Sequence, residues 1–293
     1  MSRINKCIEL LESSRRVFAL HPSEPPPMTY ESGRAHSESW ADMLVVEFEH
    51  CEFNVSGLAE FMRGLRDATP RGTSTLTVVA TLPHNAITPE EVRYNAWQAR
   101  HALSAGVHGL MQAHARHPEA VRWFVASARY PFQTSGQGVV PEGIRGAGGE
   151  DRPARLWGVT PELYRRLADP WPLNPAGELL LGLKIENHRS LATAQAVASV
   201  PGVAFAEWGP SDMAMSFGLP EAKEPPYPAE IRSAMETVRQ AAKHAGIAFH
   251  CGWNDPAMSV AQQVDYLIDE LNAKILVVPS KEYADYGRDR STE

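Results

Sequence analysis

Two stretches of this sequence decide the fold: GLKIE at residues 182–186 and AEWGPSD at residues 206–212. Each contains a short apolar run followed by a carboxylate, Glu186 in the first and Asp212 in the second. Asp212 follows Glu186 by 26 positions, about one strand–helix–strand unit. Parallel neighbouring strands end on the same side of a sheet, so we expect both carboxylates in one pocket. Two oxygen ligands with open positions suit a hard divalent cation that retains water or substrate.

Strand-like segments recur along the whole chain with helical patterns between them. Eight strands are expected, at residues 16–20, 43–48, 76–82, 109–112, 179–185, 203–208, 247–251 and 275–278. This alternation predicts an α/β protein, a (β/α)8 TIM barrel forming one domain over residues 1–293. A doubly wound open sheet is the alternative, but no Gly-rich nucleotide-binding loop supports it.

Three segments depart from the regular pattern. Residues 131–177 are rich in Gly and Pro, and we expect them to form a long irregular insertion on the active-site side of the barrel. The proline-rich residues 21–32 are expected to form a loop near the barrel mouth. The last expected strand ends 15 residues before the C-terminus, so the final barrel helix should be short or missing.

Composition excludes several classes of function. A net charge of −7 and a pI near 5.9 argue against a nucleic-acid-binding surface. No apolar run is long enough for a membrane span, and the N-terminus lacks the apolar region of a signal peptide. The three cysteines are widely spaced, as expected for reduced thiols in a cytoplasmic protein.

Four segments, in order between about residues 42 and 252, resemble the HpcH/HpaI family of metal-dependent, pyruvate-type aldolases. VVEFEH at 45–50 resembles the family's acidic-x-Glu-His strand end. RYP at 129–131, with GIRG at 143–146, resembles its Arg-Tyr-Pro-Pro-x-Gly-x-Arg-Gly loop. KIE at 184–186 is similar to Gln-Ile-Glu, and GPSDM at 209–213 is similar to Gly-Pro-x-Asp-Leu. The chain is identified as a divergent member of that family.

The resemblance implies a Mg²⁺, Mn²⁺ or Co²⁺ ion held by Glu186 and Asp212. From the residues alone, strand-end carboxylates that cap a helix or pair with an arginine remain an alternative. His50 follows an apolar strand directly, and an imidazole group can take and return a proton near neutral pH, so His50 is the candidate acid–base residue. Glu47 and Glu49 share one face of that strand, and one of them is expected to orient an imidazole.

Lys184 lies on the same strand face as Glu186, where a buried lysine requires a partner. A salt bridge with Glu186 or Glu207 and a contact with the substrate carboxylate are equally good interpretations, and a Schiff-base amine is a weaker one. Arg145, between glycines, is a candidate anion-binding residue or a solvated loop charge, and His114 is either a substrate contact or a histidine satisfied within the core. The remaining expected substrate-binding residues surround the second motif: Trp208, Gly209, Pro210 and Ser211. For Trp208, packing in the core is the alternative.

One position departs from the family pattern. Family members carry an arginine near the end of the third strand to hold the pyruvate carboxylate, and this chain has Ala80 at the matching place. Without that bidentate cation, carboxylate recognition needs a replacement. Arg145, Lys184 and His84 are the candidates.

The resulting function is a metal-dependent lyase, a class II aldolase that cleaves or forms a 4-hydroxy-2-oxo acid through a pyruvate-type enolate. Its partners would be a 2-oxo acid and an aldehyde, with no nucleic acid and no membrane, in a homo-oligomer that family habit makes a trimer or hexamer. Related chemistry on another acid or an acyl-CoA, as in a decarboxylase or a citrate-lyase-like enzyme, is the alternative. A non-catalytic ligand-binding barrel is the third possibility.

Overall fold

The computed structural model describes residues 3–290, in which eight parallel strands close into a barrel. The sheet contains these eight strands and one additional two-residue strand, β5. In chain order they are β1 (Val17–Leu20), β2 (Met43–Val46), β3 (Thr77–Asn85), β4 (Gly109–Ala113), β5 (Pro170–Trp171), β6 (Leu179–Lys184), β7 (Phe205–Glu207), β8 (Ala248–Gly252) and β9 (Ile275–Val277). Strand β4 pairs with β6 and β9 pairs with β1, which closes the ring. The two-residue β5 only extends the sheet at the start of β6. The predicted TIM barrel is therefore confirmed.

Helices surround the barrel in the expected alternation. They are α1 (Lys6–Glu12), α2 (Tyr30–His36), α3 (Val55–Ala68), α4 (Pro89–Ala105), α5 (Pro118–Ser127), α6 (Asp151–Trp157), α7 (Pro161–Leu167), α8 (Ala194–Ala198), α9 (Pro210–Ser216), α10 (Ala229–Ala245), α11 (Val260–Asp265) and α12 (Lys281–Arg290). A 3₁₀ turn, His188–Thr193, leads into α8, and a π-helical turn, Tyr266–Glu270, follows α11. None of the helices in residues 3–290 has the length and apolarity that crossing a membrane requires.

Helix starts follow the local capping chemistry. The Thr88 hydroxyl accepts a hydrogen bond from the Glu91 N–H at 3.2 Å, and Pro89 occupies the first turn, as its sequence predicts. The sequence Asn254-Asp255-Pro256 predicts a helix start at Pro256, and this prediction is wrong. Ser259 caps α11 instead, because Ser259 and Gln262 satisfy each other's backbone N–H groups in a capping box.

The insertion at residues 131–177 differs from the prediction in content and in place. It contains α6, α7 and β5, and its later part lies at the amino-terminal end of the barrel. There the Trp157 indole N–H donates to the Gly106 carbonyl at 3.1 Å, and Arg3 donates to the carbonyls of Pro175 and Gly177. The physical reason is that α5 runs antiparallel to β4 and returns the chain to the amino-terminal end.

The final helix is present as α12 and is short, with ten residues. It packs against α11 and against β1, where the Arg288 guanidinium lies 5.1 Å from the centre of the Phe18 ring. Arg288 also forms an ion pair with the buried carboxylate of Asp42 at 3.1 Å. Within the described residues, the last βα unit therefore closes against the first.

The barrel interior has two layers of different chemistry. At the amino-terminal end, alternate strand residues such as Val17, Val45 and Phe205 form an apolar core that α1 covers with Cys7 and Ile8. A larger apolar core fills the space between the strands and the outer helices. At the carboxyl end the inward positions become polar or charged, and these side chains form the charged layer: Glu47, Thr81, Lys184, Glu207 and His250. Function belongs at this end of a TIM barrel.

Helix α2 anchors the segment that follows β1. Its Gly33 and the Gly64 of α3 lie so close to the opposite backbone that an added Cβ at either position would overlap a carbonyl oxygen. Only glycine permits this helix–helix approach. His21 follows β1 directly and lies against Glu47 and Glu207 of the charged layer.

Candidate functional site

Strand alternation builds the site. Lys184 and Glu186 both project inward from the end of β6, as do Glu47 and Glu49 after β2, because residues two apart share a face. In the sheet register Lys184 lies beside Glu207, and Glu207 lies beside His250. Neighbouring strands thus place a cation, a carboxylate and an imidazole in one row.

Lys184 is the cation at the centre of the charged layer. Its side chain is 6% exposed, and its ammonium group contacts Glu49 Oε2 and lies 3.2 Å from Glu186 Oε2. Glu47 Oε2 is 3.8 Å away. Burial alone would lower the pKa of Lys184, but the charges of Glu186, Glu207, Glu49 and Glu47 outweigh it and raise the pKa above its usual value. The amine is therefore charged, which disfavours a Schiff-base role.

Glu186 is fully buried. Its Oε1 accepts a hydrogen bond from the His114 backbone N–H at 3.2 Å, while its Oε2 forms an ion pair with the Lys184 ammonium group at 3.2 Å but accepts no well-aligned hydrogen bond from residues 3–290. Burial, together with the nearby negative charges of Glu49, Glu207 and Asp212, raises the pKa of Glu186 well above its usual value, despite the opposing charge of Lys184. A buried carboxylate of this kind requires a further cation or a proton.

His114 joins β4 to this pair of carboxylates. Its Nε2 lies 3.1 Å from Glu49 Oε1, and its Nδ1 lies 3.6 Å from Glu186 Oε1. The backbone of His114 has φ +45°, a left-handed conformation that non-glycine residues rarely adopt. Such local strain is often found at functional sites.

His50 and Asp212 lie at the edge of the mouth. The His50 side chain is 55% exposed, and its Nε2 is 3.7 Å from Asp212 Oδ2 and 3.9 Å from Glu49 Oε2. Asp212 lies inside the first turn of α9, whose N-cap is Gly209 and has no side-chain cap. The Asp212 carboxylate therefore faces the imidazole instead of capping the helix.

Glu47 supports the site from below and does not contact His50. Its Oε1 accepts hydrogen bonds from the Thr81 hydroxyl and the Glu49 N–H, both at 2.6 Å, and its Oε2 lies 3.5 Å from His21 Nε2. Burial opposes ionisation of Glu47, but the hydrogen bonds and the charge of Lys184 lower its pKa to about 2. Of the two acidic residues after β2, Glu49 is the one next to His50.

The donor atoms at the mouth fit a divalent cation. Two three-residue groups have ligand atoms within 4.8 Å of one another: Glu49, His50 and Asp212 form one, and Glu49, His114 and Glu186 form the other. Glu186 and Asp212 thus flank Glu49. Glu49 Oε1 faces the His114 imidazole at 3.1 Å and Glu186 Oε2 faces the Lys184 ammonium group at 3.2 Å, and neither oxygen accepts a well-aligned hydrogen bond within the described part of the chain. Carboxylate oxygens are the ligands that hard divalent cations select.

Gly209 is required at the turn beside this cluster. Its φ is +50°, and an added Cβ would collide with the Glu186 carboxylate. Any larger residue would therefore displace Glu186 or change the turn.

Some residues expected in the site lie elsewhere. Arg145 is buried between two aromatic rings, 4.3 Å from the Tyr130 centroid, and donates to the Tyr164 hydroxyl at 3.0 Å. Trp208 is buried in the outer core and packs edge-on against Tyr227, because it follows the inward-facing Glu207 and so points outward. Pro210 and Ser211 form the first turn of α9, with Ser211 exposed.

The position that departs from the family pattern also receives a structural explanation. Ala80 faces the outer core, and its neighbour Thr81 is the inward residue that bonds to Glu47. Among the suggested replacement cations, Arg145 lies apart, and His84 hydrogen-bonds through Nδ1 to Gln98 at 2.8 Å. Lys184 is the candidate that the fold places in the charged layer.

Sequence reasoning missed His21 and His250, and it named Glu207 only as a possible salt-bridge partner of Lys184. Each stands at the carboxyl end of an expected strand, which was a usable signal. Glu207 and His250 also occupy the inward positions that alternation assigns to their strands. His21 gave a weaker signal because it begins an irregular segment.

Solved structures of known proteins share this architecture. A HpcH/HpaI aldolase/citrate lyase family protein from Burkholderia cenocepacia J2315 superposes with a TM-score of 0.71 at 22% identity, over 98% of this chain and 97% of that one. The HpcH/HpaI aldolase from Desulfitobacterium hafniense DCB-2 gives a TM-score of 0.67 at 19% identity, over 98% and 96% of the two chains. At these identities the similarity demonstrates a common fold.

Sequence comparison is more specific. The chain is 33% identical over 146 residues to the pyruvate aldolase of Rhizobium etli, covering 50% of each protein. It is 31% identical over 141 residues to the hydroxypyruvate/pyruvate aldolase of Sagittula stellata, covering 48% of this chain and 47% of that protein. The chain thus spans about half the length of the curated relatives it matches. The sequence model of the HpcH/HpaI aldolase/citrate lyase family matches residues 77–265, more than half of the chain. The protein belongs to the HpcH/HpaI aldolase/citrate lyase family.

Proposed function

We propose that this protein is a metal-dependent carbon–carbon lyase, a class II aldolase that cleaves or forms a 4-hydroxy-2-oxo acid. The observation that carries the proposal is the arrangement around Glu49. This residue lies between the buried carboxylate of Glu186 and the pair formed by His50 and Asp212, at the carboxyl end of the barrel. The named activities of the partly matching aldolases support the same reaction class.

Glu186 and Asp212 would hold the divalent cation, with Glu49 beside both. Mg²⁺, Mn²⁺ and Co²⁺ all suit such oxygen-rich ligands. When bound, the cation supplies a Lewis acid that withdraws electron density from a 2-oxo acid. A solved structure of the citrate lyase β subunit from M. tuberculosis, which shares this fold, contains oxaloacetate and magnesium. An oxo acid and a divalent cation are thus the kinds of ligand that we propose for this site.

Lys184 would bind the carboxylate of the oxo acid. The inward position on β3 is Thr81, a neutral residue, whereas the Lys184 ammonium group is charged and central. An ammonium group binds a carboxylate as a point charge and lacks the two parallel bonds of a guanidinium group. His114, held between Glu49 and Glu186, would border the same pocket.

His50 would act as the base in the cleavage direction. Its imidazole takes the proton of the 4-hydroxyl group, and the bond between C3 and C4 breaks. The electron pair of that bond remains with the oxo-acid fragment, and the aldehyde leaves. Glu49 and Asp212 on either side of Nε2 would stabilise the imidazolium that results. The half-exposed ring then exchanges its proton with solvent at the mouth.

The test is exchange of the pyruvate methyl protons for deuterium, followed by NMR in D₂O with Mg²⁺, Mn²⁺ or Co²⁺. We expect metal-dependent exchange that the Glu186→Gln variant loses. Glu178→Gln is the matched control, since Glu178 is a buried carboxylate at the opposite end of the barrel, where it pairs with Arg3. Absence of exchange by the wild-type protein with Mn²⁺ demonstrably bound would refute pyruvate-type chemistry. Oxaloacetate and acyl-CoA substrates would then be the compounds to screen.

A further inference from the structure

A second group of potential metal ligands lies deeper in the barrel. One ligand atom each from His21, Glu207 and His250 lie within 4.8 Å of one another. The three residues come from the ends of β1, β7 and β8. None of them belongs to the two groups around Glu49, so the cluster is separate from the site of the proposed lyase chemistry.

The histidines approach Glu207 from two sides. His21 Nδ1 lies 3.5 Å from Glu207 Oε1, and His250 Nδ1 lies 3.7 Å from Glu207 Oε2. The two rings are stacked, with centroids 5.6 Å apart and planes 12° apart. Ligands bound at about 2.1 Å to one metal lie roughly 3–3.5 Å from each other, so small side-chain rotations bring this set to coordination distance.

His250 provides the second, independent observation. The residue is fully buried, and neither of its ring nitrogens has a hydrogen-bond partner among the described residues. Glu207 Oε2 likewise has none in that part of the chain. Buried polar atoms are almost always bonded, so these facing orphan atoms indicate a missing ligand. Burial lowers the pKa of His250 well below its usual value, which keeps the imidazole in the neutral form that binds metal.

The surroundings of His21 match those of a metal-binding histidine. While Nδ1 faces Glu207, Nε2 faces Glu47 Oε2 at 3.5 Å, and Glu47 is fixed by the Thr81 hydroxyl. Histidine ligands of metals usually direct their second ring nitrogen at a carboxylate, which fixes the ring and increases its basicity.

Charge balance favours a second cation. Five carboxylates occupy the mouth and the charged layer: Glu47, Glu49, Glu186, Glu207 and Asp212. Lys184 forms ion pairs with three of them, Glu47, Glu49 and Glu186. A divalent cation at Glu186 and Asp212, and a second one at Glu207, would both offset this concentration of acidic groups.

We propose that His21, Glu207 and His250 form a second metal site, selective for a divalent transition metal such as Zn²⁺, Co²⁺ or Ni²⁺ over Mg²⁺. Two imidazoles and one carboxylate favour these ions, whereas the oxygen-rich group at Glu186 and Asp212 suits Mg²⁺ and Mn²⁺. The site lies in the charged layer, where Glu207 is next to Lys184 in the sheet register and His250 is next to Glu207.

The experiment is a titration of chelator-treated full-length protein with Co²⁺, in which stoichiometry is measured by calorimetry and ligation by the visible absorption of the bound ion. We expect two equivalents in the wild type. Glu186→Gln should lose one of them and keep the equivalent with the nitrogen-ligand spectrum. His21→Gln and His250→Gln should each weaken that equivalent by more than about tenfold, and His244→Gln, on the exposed surface of α10, should change neither.

His250 is buried, so its variant is interpreted only if its circular dichroism matches that of the wild type. His21→Gln tests the same site from the loop after β1. A direct measurement requires no variant: addition of Zn²⁺ to the wild type should shift two imidazole ¹⁵N resonances that Mg²⁺ leaves in place. One equivalent of Co²⁺ in the wild type, or two equivalents unaffected by His21→Gln, would overturn the proposal. Failure of the pyruvate exchange test would leave it standing, because the two sites share no residue.

Discussion

Replacing Lys184 with glutamine should strongly destabilise the metal-free protein. The ammonium group contacts Glu49, lies 3.2 Å from Glu186 and 3.8 Å from Glu47, and its side chain is only 6% exposed. Removing one partner of a buried ion pair costs about 3–5 kcal/mol, since the remaining charge is uncompensated. For a protein of this size, that loss lowers the melting temperature by roughly 6–20 °C.

The assay is thermal unfolding followed by circular dichroism in the presence of a chelator at pH 7. Lys243→Gln, on the exposed surface of α10, is the matched control and should change stability by less than about 0.5 kcal/mol. The double variant Lys184→Gln with Glu49→Gln should be more stable than the sum of the two single effects predicts, because it removes both partners. Adding Mn²⁺ to Lys184→Gln should recover part of the loss by supplying positive charge to the same carboxylates. A melting temperature within about 2 °C of the wild type in chelator would refute this account of the charged layer.

Three further predictions concern other parts of the molecule. Gly209→Ala should weaken divalent-metal binding, measured by calorimetry, because the added Cβ collides with Glu186. Gly218→Ala is the control, since Gly218 also has a positive φ but lies in open space. It should lower the free energy of unfolding by only about 1 kcal/mol through backbone strain and leave the metal affinity unchanged. Arg145→Ala should lower the melting temperature through loss of a buried cation–π contact worth about 2 kcal/mol, while the KM for the oxo acid stays constant. A raised KM would show that Arg145 takes part in binding the substrate. His108, stacked on Trp157 and fully buried, has a pKa lowered to about 4 by burial, so unfolding exposes a histidine that takes up a proton. Its contribution to stability is therefore complete above pH 6.5 and is lost as the pH falls from 6.5 to about 4; His108→Gln should flatten the stability–pH curve in that window, and an unchanged slope would contradict the assignment.

The fold was accessible from sequence because each barrel strand contains a short, mostly apolar segment. All eight expected strands are present, and local signals also mark helix limits: Thr88 caps the start of α4, and glycines end both α4 and α10. The insertion was harder to interpret. Its glycines and prolines mask two seven-residue helices, α6 and α7, whose stability depends on packing such as that of Trp157 against His108. Local pattern carries little information about such contacts.

The candidate site was predictable where alternation and resemblance agreed. Glu186, Asp212, His50, Glu49 and Lys184 converge because they stand at strand ends or in the turns that follow them. Arg145 was misplaced because a loop arginine between glycines has the same sequence appearance whether it faces solvent or is buried under Tyr130 and Tyr164. Trp208 is next to the Gly-Pro turn in sequence, but strand alternation directs its side chain outward, into the outer core.

The charged layer links recognition of the metal to recognition of the acid in the proposed reaction. In the metal-free protein the Lys184 ammonium group is already engaged by Glu49 and Glu186, so a substrate carboxylate would have to compete with two buried carboxylates for it. A cation held by Glu186 would neutralise that carboxylate, so that the Lys184 ammonium group would be available to attract the substrate carboxylate. The metal would therefore bind first and raise the affinity for the acid. If Lys184 holds the acid as proposed, its position on β6 beside Glu186 would couple binding of the acid to binding of the metal.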